Sequence, residues 1–495
     1  MLFNSFPFLF VFLPIVLAGM LLLVRWRAMR FVAWYIGLAS LVFYAYWNPI
    51  HLLVIVPSII VNFFCGKAIV ETERDSRRRL YMWLGVAFNL TLLGWFKYAP
   101  LIAQTLVSRN VAEFTSAIVN PALPIGISFY TFLQIAYLVD CGRASVAPRY
   151  TFRDYLFFVT LFPHLIAGPI LHHAAIIPQL QRLERRFRAD RYWGLYFSPG
   201  LALLIIGLMK KVLIADEFGG WADQSFAAVR SGLFGFLDAW GGATAYTFQI
   251  YFDFSAYSDM AIGLGLMFGI VLPRNFLSPY KSGSIIEFWR RWHVTLSRFL
   301  RDYLYIPLGG NRAGRTRRYV NLMITMALGG LWHGASWSFM LWGVLHGALL
   351  VINHALRWLI PWRTPRPLAV AVTFFVIVFT WVPFRAANTA DTVTFWEHMI
   401  GLYGIVLPWR YQPLAELLGL RVGDVNYFAG LSQVLFTAAA ACIVFALPNA
   451  VDFVLSHRAR LVRSPAAPVA LGVGLVVACL VMLVTENVTF LYFQF

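Results

Sequence analysis

The chain has 495 residues, 60% of them hydrophobic, 17% aromatic and only 13% charged, with a mean hydropathy of +0.70. A soluble domain is closer to half apolar and a quarter charged, so this composition excludes an ordinary water-soluble protein and indicates a bilayer. A net charge of +18 does not imply nucleic acid, because the arginines sit in short loops between apolar runs, where the cytoplasmic loops of a membrane protein collect them.

In chain order, apolar runs at residues 8–24 and 31–46 come first, and others at 368–382 and 469–484 near the end. Each approaches the ~20 residues that cross ~30 Å of hydrocarbon. Helices are the only open structures that satisfy their backbone there, and the alternating pattern of a membrane barrel is absent. Met1 to Asn4 has no positive charge and no cleavage signal follows, so the first run reads as a retained helix. Arg25, Arg27 and Arg30 follow it, which places the N-terminus outside the cytoplasm.

Alternation then puts residues 48–51 outside, 74–79 inside, 98–122 outside and 143–153 inside. The run 154–176 is interrupted by Pro163, Gly168 and Pro169 and reads as a re-entrant segment, which keeps Arg182, Arg185, Arg186, Arg188 and Arg191 inside. A helix at 197–215 leads to an outer loop bearing Asp216, Glu217, Asp223 and Asp238, and residues 243–271 return. Residues 274–318 are the most basic loop: nine Arg and one Lys against Glu287 and Asp302, 10 minus 2, give +8.

Residues 319–332 and 337–356 form a hairpin, since Arg357, Arg363 and Arg366 must also be cytoplasmic. A helix at 368–384, a long outer segment at 385–430, and helices at 431–450 and 466–484 follow. The predicted architecture is an all-α, polytopic integral membrane protein with both termini extracytoplasmic. Cys65, Cys141, Cys442 and Cys479 are too scattered for a disulfide framework or a zinc motif.

Four constellations bear chemistry. In "IIEFWRRWHVTLSRFLRDYLYIPLGGNR", residues 285–312, helical spacing puts Ile285, Phe288, Trp289, Trp292, Leu296, Phe299, Leu300 and Tyr303 opposite Arg290, Arg291, Arg298 and Arg301. This predicts an amphipathic helix at the inner surface, whose arginines meet acidic headgroups or a phosphorylated donor. His293 lies at the edge of the apolar arc, where a side chain faces a protein cavity.

In "GGLWHGASWSFMLWGVLHG", residues 329–347, His333 falls ~21 Å along a helix counted from Tyr319, beyond the membrane midpoint. An ionisable group so placed is costly and marks a site, and burial keeps the imidazole neutral, as a general base requires. Trp332 and Ser336 offer donors beside it. His346 would point away from His333 on one straight helix, at 13 × 100° or 220° after whole turns, and reads as structural.

Asp253 and Asp259 in "YFDFSAYSDMAIG" suit either a proton relay or hydrogen bonds to neighbouring Tyr and Ser hydroxyls. His164, His172 and His173 in "FPHLIAGPILHH" have no carboxylate or cysteine close by in sequence, so no metal site is expected. Phosphate-loop and G-x-S-x-G motifs are absent, which removes ATP-driven transport and ordinary serine hydrolysis.

These stretches, with "LPIGISFYTFLQIAYLVD" and the ending "FLYFQF", resemble the membrane-bound O-acyltransferase family, most closely its bacterial branch that acetylates alginate or transfers D-alanine to teichoic acids. The resemblance implies one membrane domain over residues 1–495, with N-terminal helices to 122, a catalytic core at 123–360 and C-terminal helices from 361, in a bacterial inner membrane. It places the family histidine on His333 and a second site position on His293. It further implies substrate contacts from Trp332, Ser336, Arg290, Arg291 and Trp292, an acetyl-CoA or other acyl-thioester donor with no permanently bound cofactor, a polysaccharide acceptor such as alginate, and extracytoplasmic polysaccharide-modifying partner proteins. The competing reading is a polysaccharide or small-anion transporter without acyl chemistry.

Overall fold

A computed structural model describes residues 1–106, 123–143, 149–188, 192–231, 234–312, 314–359, 364–423, 430–485 and 490–491. Most of the expected outer segment 98–122, Arg191, Arg363, the side chains of Arg185 and Arg188, and the last four residues of "FLYFQF" lie outside this set. Among the described residues six helices are long and apolar enough to span a bilayer, seven if Leu431–Ala446 and Ala450–Ser456 count together. The protein is an all-α, multi-pass membrane protein.

The chain forms two compact units, each assembled from separated stretches. The first comprises Met1–Leu208, Tyr257–Arg274 and Ala450–Phe495, the second Met209–Ala256 and Asn275–Asn449.

In the first unit, Pro7–Phe12 and Leu13–Arg25 run as one helix, and a tight turn through Arg27, at φ +57°, leads into Met29–Ala45. Leu52–Glu71, Asp75–Leu93 and Ile127–Arg143 then pack through a buried polar knot. Ser58 donates to Gln134 Oε1 at 3.0 Å, and Asn62 bonds to both Asn89 and Gln134. In hydrocarbon such amides have no water to fall back on, so they lock neighbouring helices together.

The run expected to be broken is broken. Phe152–Thr160, capped by Thr151 and Asp154, stops at Leu161, a short turn Phe162–Leu165 follows, and the helix resumes only at His173–Leu180. Gly168 fits this fold-back because a Cβ there would meet His164 Cα at 2.4 Å.

One expectation fails. The outer loop from Asp216 is helix: Trp193–Ala227 is continuous for 35 residues, with wider π-helical turns at Trp193–Phe197 and Lys210–Ala215. Asp216 does not need a loop in water, because Lys211 Nζ lies 2.7 Å from both Asp216 and Asp253. The long segment 385–430 has structure of its own. It contains the helix Thr389–Met399, two three-residue strands paired in parallel with Val406 opposite Arg421, and the helix Gln412–Leu418.

The predicted hairpin is the centre of the second unit. Gly314–His333 and Trp337–Leu359 touch backbone to backbone: a Cβ on Gly330 would meet Phe339 O at 2.3 Å, and one on Gly343 would meet Met326 O at 2.3 Å. Arg318 reaches the His354 ring at 2.8 Å across the open end. Gly343→Val should therefore cost at least the ~1–3 kcal/mol of an overpacked core, because backbone rather than a side chain must yield. Thermal unfolding of the detergent-purified protein checks this, with Gly472→Ala as a control, since a Cβ there meets nothing within 4 Å.

Candidate functional site

His333 is the last residue of its helix, and Gly334 to Ser336 make the bend. Gly334 is required there because a Cβ would overlap the Phe339 ring at 2.1 Å. The Ser336 hydroxyl accepts the Phe339 N–H at 3.4 Å and so caps the returning helix. The predicted polar contact of Ser336 is thus engaged by backbone.

Buried His333 is walled by aromatic rings: Trp332 at 4.9 Å, Phe384 at 5.1 Å and Trp342 edge-on at 5.2 Å between centroids. Trp381 and Phe384, from the helix Arg366–Arg385, complete the wall, and Trp381 stacks on Trp342 at 5.7 Å. Ring faces and edges thus stand around the imidazole where solvent would otherwise be.

The continuous amphipathic helix expected at 285–312 is corrected by the structure. It divides into Ile285–Arg291, Val294–Leu300 and a π-helical turn Arg301–Tyr305. The break is His293 itself, held left-handed at φ +41° and ψ 55°. Helical periodicity carries no signal for this, since a left-handed histidine is uncommon and must be imposed by its surroundings.

Asn275 imposes it. Its carbonyl accepts Val294 N–H at 2.9 Å, while its side-chain Oδ1 lies 3.0 Å from His293 Nδ1 and accepts the Thr295 hydroxyl at 2.9 Å. Because Thr295 donates to the same oxygen, Nδ1 of His293 is the donor and Nε2 carries the lone pair. Burial pushes the His293 imidazolium down to about 3, so the ring is neutral near pH 7.

A line of ring contacts joins the histidines. His293 lies 6.3 Å from Trp332, Trp332 touches His333, His333 touches Trp342, and Trp342 lies 4.7 Å from His346. His346 therefore belongs to the same aromatic core, which the straight-helix angle of 220° had turned away. The bend at Gly334 to Ser336 resets the phase between the two helices, and the predicted hairpin was the signal that this angle did not apply. Both His346 ring nitrogens are buried without a hydrogen-bond partner among the described residues.

The other predicted contacts separate into braces and exposed groups. Trp292 is fully buried in packing, 5.0 Å from Trp381 and 5.5 Å from Phe288. Arg291 is tied to Glu287 at 2.9 Å, whereas Arg290 is exposed. Arg366 grips Glu287 with both guanidinium nitrogens at 2.7 and 2.8 Å, and Gly283 N–H adds a third bond at 2.9 Å. Nothing in the spacing of the sequence marks Asn275, Glu287 or Arg366 as partners.

Asp253 is ion-paired to Lys211 at 2.7 Å. Asp259 is buried in the first unit. His164 Nε2 lies 3.0 Å from Phe158 O, and His164 is not part of the group formed by His172 and His173.

The fold and this core define a multi-pass membrane protein with imidazoles enclosed among helix breaks. Residues 79–387 match the membrane-bound O-acyltransferase family, to which the chain belongs. It is an O-acyltransferase. Its relatives include a peptidoglycan O-acetyltransferase of Helicobacter pylori, 37% identical over 100% of this chain and 98% of the relative. A probable alginate O-acetylase AlgI of Pseudomonas aeruginosa is 42% identical over 88% of this chain and 82% of the relative. A teichoic acid D-alanyltransferase of Bacillus subtilis is 25% identical over 52% and 67%.

The Arg366 fork holds the Glu287 carboxyl down to about 2 from its ordinary 4.5. A depressed folded-state value means the brace is fully present above about pH 4.5 and is lost as pH falls through about 2. Glu287→Gln should lower the unfolding temperature at neutral pH, and the gap to the parent protein should narrow steadily below about pH 4.5. Melting curves across that range test it, and a gap independent of pH would contradict it.

Proposed function

We propose that this enzyme moves an acetyl group from a thioester donor, acetyl-CoA or a related acyl thioester approaching from the cytoplasmic face, to hydroxyls of an extracytoplasmic glycan at the bacterial inner membrane. Support for the acetyl group and a glycan acceptor comes from the names of the relatives, which act on peptidoglycan and alginate. Transfer proceeds directly or through extracytoplasmic partner proteins, and both termini lie outside the cytoplasm. The observation that carries the chemistry is His333, a buried imidazole at a helix end, enclosed by Trp332, Trp342 and Phe384.

In this reading His333 accepts the proton of the acceptor hydroxyl as its oxygen attacks the thioester carbonyl. The C–O bond forms, the C–S bond breaks, and the proton passes from the imidazole to the departing thiolate sulfur. Trp332 lies beside the developing oxyanion as a donor. His293, neutral and fixed by Asn275, positions the donor. Arg290 meets the donor's phosphates from the surface, while Arg291 and Trp292 hold the loop that presents it.

The transport alternative would use Asp253, Asp259 and the histidines as a relay, and of these Asp253 is already matched by Lys211. His333→Ala, compared with the parent protein at matched membrane levels in cells carrying the whole gene cluster, should reduce glycan-bound acetate by at least ~10²-fold, the scale of a lost general base, while glycan export continues. His293→Ala should also reduce it. Normal acetate per glycan with reduced export would sink the acyl-transfer role of His333 and revive transport.

A further inference from the structure

Outside this site the fold brings a pair of adjacent histidines together with a carboxylate 33 residues away from the second of them. Asp140 lies in the last turn of the helix Ile127–Arg143, while His172 precedes and His173 opens the helix His173–Leu180. His172 Nε2 lies 2.7 Å and His173 Nε2 3.0 Å from the same oxygen, Asp140 Oδ2. The three ligand atoms all fall within 4.8 Å of one another, the one such group among the described residues. The sequence expectation of no metal rested on the absence of a nearby carboxylate, and Asp140 supplies it.

We propose that Asp140, His172 and His173 form a binding site for a divalent transition-metal ion of the zinc class. Two imidazoles and one carboxylate are the donor set of three-ligand zinc sites, which keep a fourth position open. Around such an ion, ligand atoms stand roughly 3.3 Å apart, so the two carboxylate contacts would open by roughly 0.6 and 0.3 Å.

The surroundings have the form of a second layer of support. The Tyr150 hydroxyl lies 3.1 Å from His173 Nδ1, on the ring edge opposite Asp140. With Nδ1–H donated to that phenol oxygen, Nε2 is left with its lone pair towards the ion, the orienting arrangement common to metal-bound histidines. The rings of His172 and His173 stack at 4.7 Å, which fixes their relative direction. Access is built in: the His173 side chain is 4% exposed, but that of His172 is 48% exposed and opens the group to solvent. An ion there would pin the helix start at His173 to the end of Ile127–Arg143, across the broken run of Phe162–Leu165.

The test uses the full-length protein in detergent, purified on a histidine-free tag, stripped with chelator and titrated with Co²⁺. One equivalent should bind with the visible absorption of a four-coordinate nitrogen and oxygen site, and Zn²⁺ should displace it. Asp140→Asn and His172→Ala should each weaken binding by more than ~10-fold, and Tyr150→Phe by ~10-fold, the size of a lost orienting contact. Because the His172 ring is half exposed, its removal leaves the packing intact, and a monodisperse elution profile verifies this. If the parent protein takes up no Co²⁺, the three groups are a hydrogen-bonded latch and the proposal fails. It fails equally if His172→Ala binds with unchanged affinity and spectrum.

Discussion

The fold is governed by the absence of water around its polar groups. A side chain or backbone group that loses its partner in hydrocarbon has no solvent to replace it, so each must be satisfied within the chain. Lys211 answers this with two carboxylates at 2.7 Å. Ser58, Asn62, Asn89 and Gln134 answer it by bonding to one another across three helices. His333 and His346 are surrounded instead largely by indole and phenyl rings, while His293 is held by Asn275.

The same constraint bears on His333 and His293, which both sit where helices stop. Inside a helix the backbone is saturated and a side chain leaves radially into whatever packs alongside. At an end the chain turns, and the side chain is aimed by the turn. His333 closes one helix before a bend that needs Gly334, and His293 is the left-handed joint between two short helices. Such joints carry strain and unsatisfied backbone, and each is held by a specific neighbour: Ser336 caps the helix after His333, and Asn275 clasps both sides of His293.

The legible part of the sequence was hydropathy and its interruptions. Apolar runs, the broken segment around Pro163 and Gly168, and the hairpin forced by Arg357 and Arg366 are all local properties, and the structure has them. What periodicity could not carry was pairing at a distance. Asp216 looked like a loop residue because Lys211 and Asp253 enter the argument only once the helices pack. Residues 285–312 looked like one amphipathic helix because nothing in their spacing announces that Asn275 will hold His293 left-handed. Asp140 lies 33 residues from His173, so their meeting is a product of the fold alone.

The basic loop shows how much of a charge count survives folding. Its +8 suggested a broad cationic surface, yet much of it is structural. Arg274 is paired with Asp452, Arg291 with Glu287, and Arg301 with Asp302, while Arg318 is engaged by His354. Arg290, Arg298, Arg312 and Arg317 are exposed and have no ion pair among the described residues. Attraction of an anion falls with distance and salt, and it is carried by charges that are not already matched. Arg290 and Arg298 flank the His293 joint in sequence, one on each short helix, and Arg312 and Arg317 lie further along the loop. The charge that survives folding is therefore divided between that joint and the start of the hairpin, and the matched arginines act as braces instead.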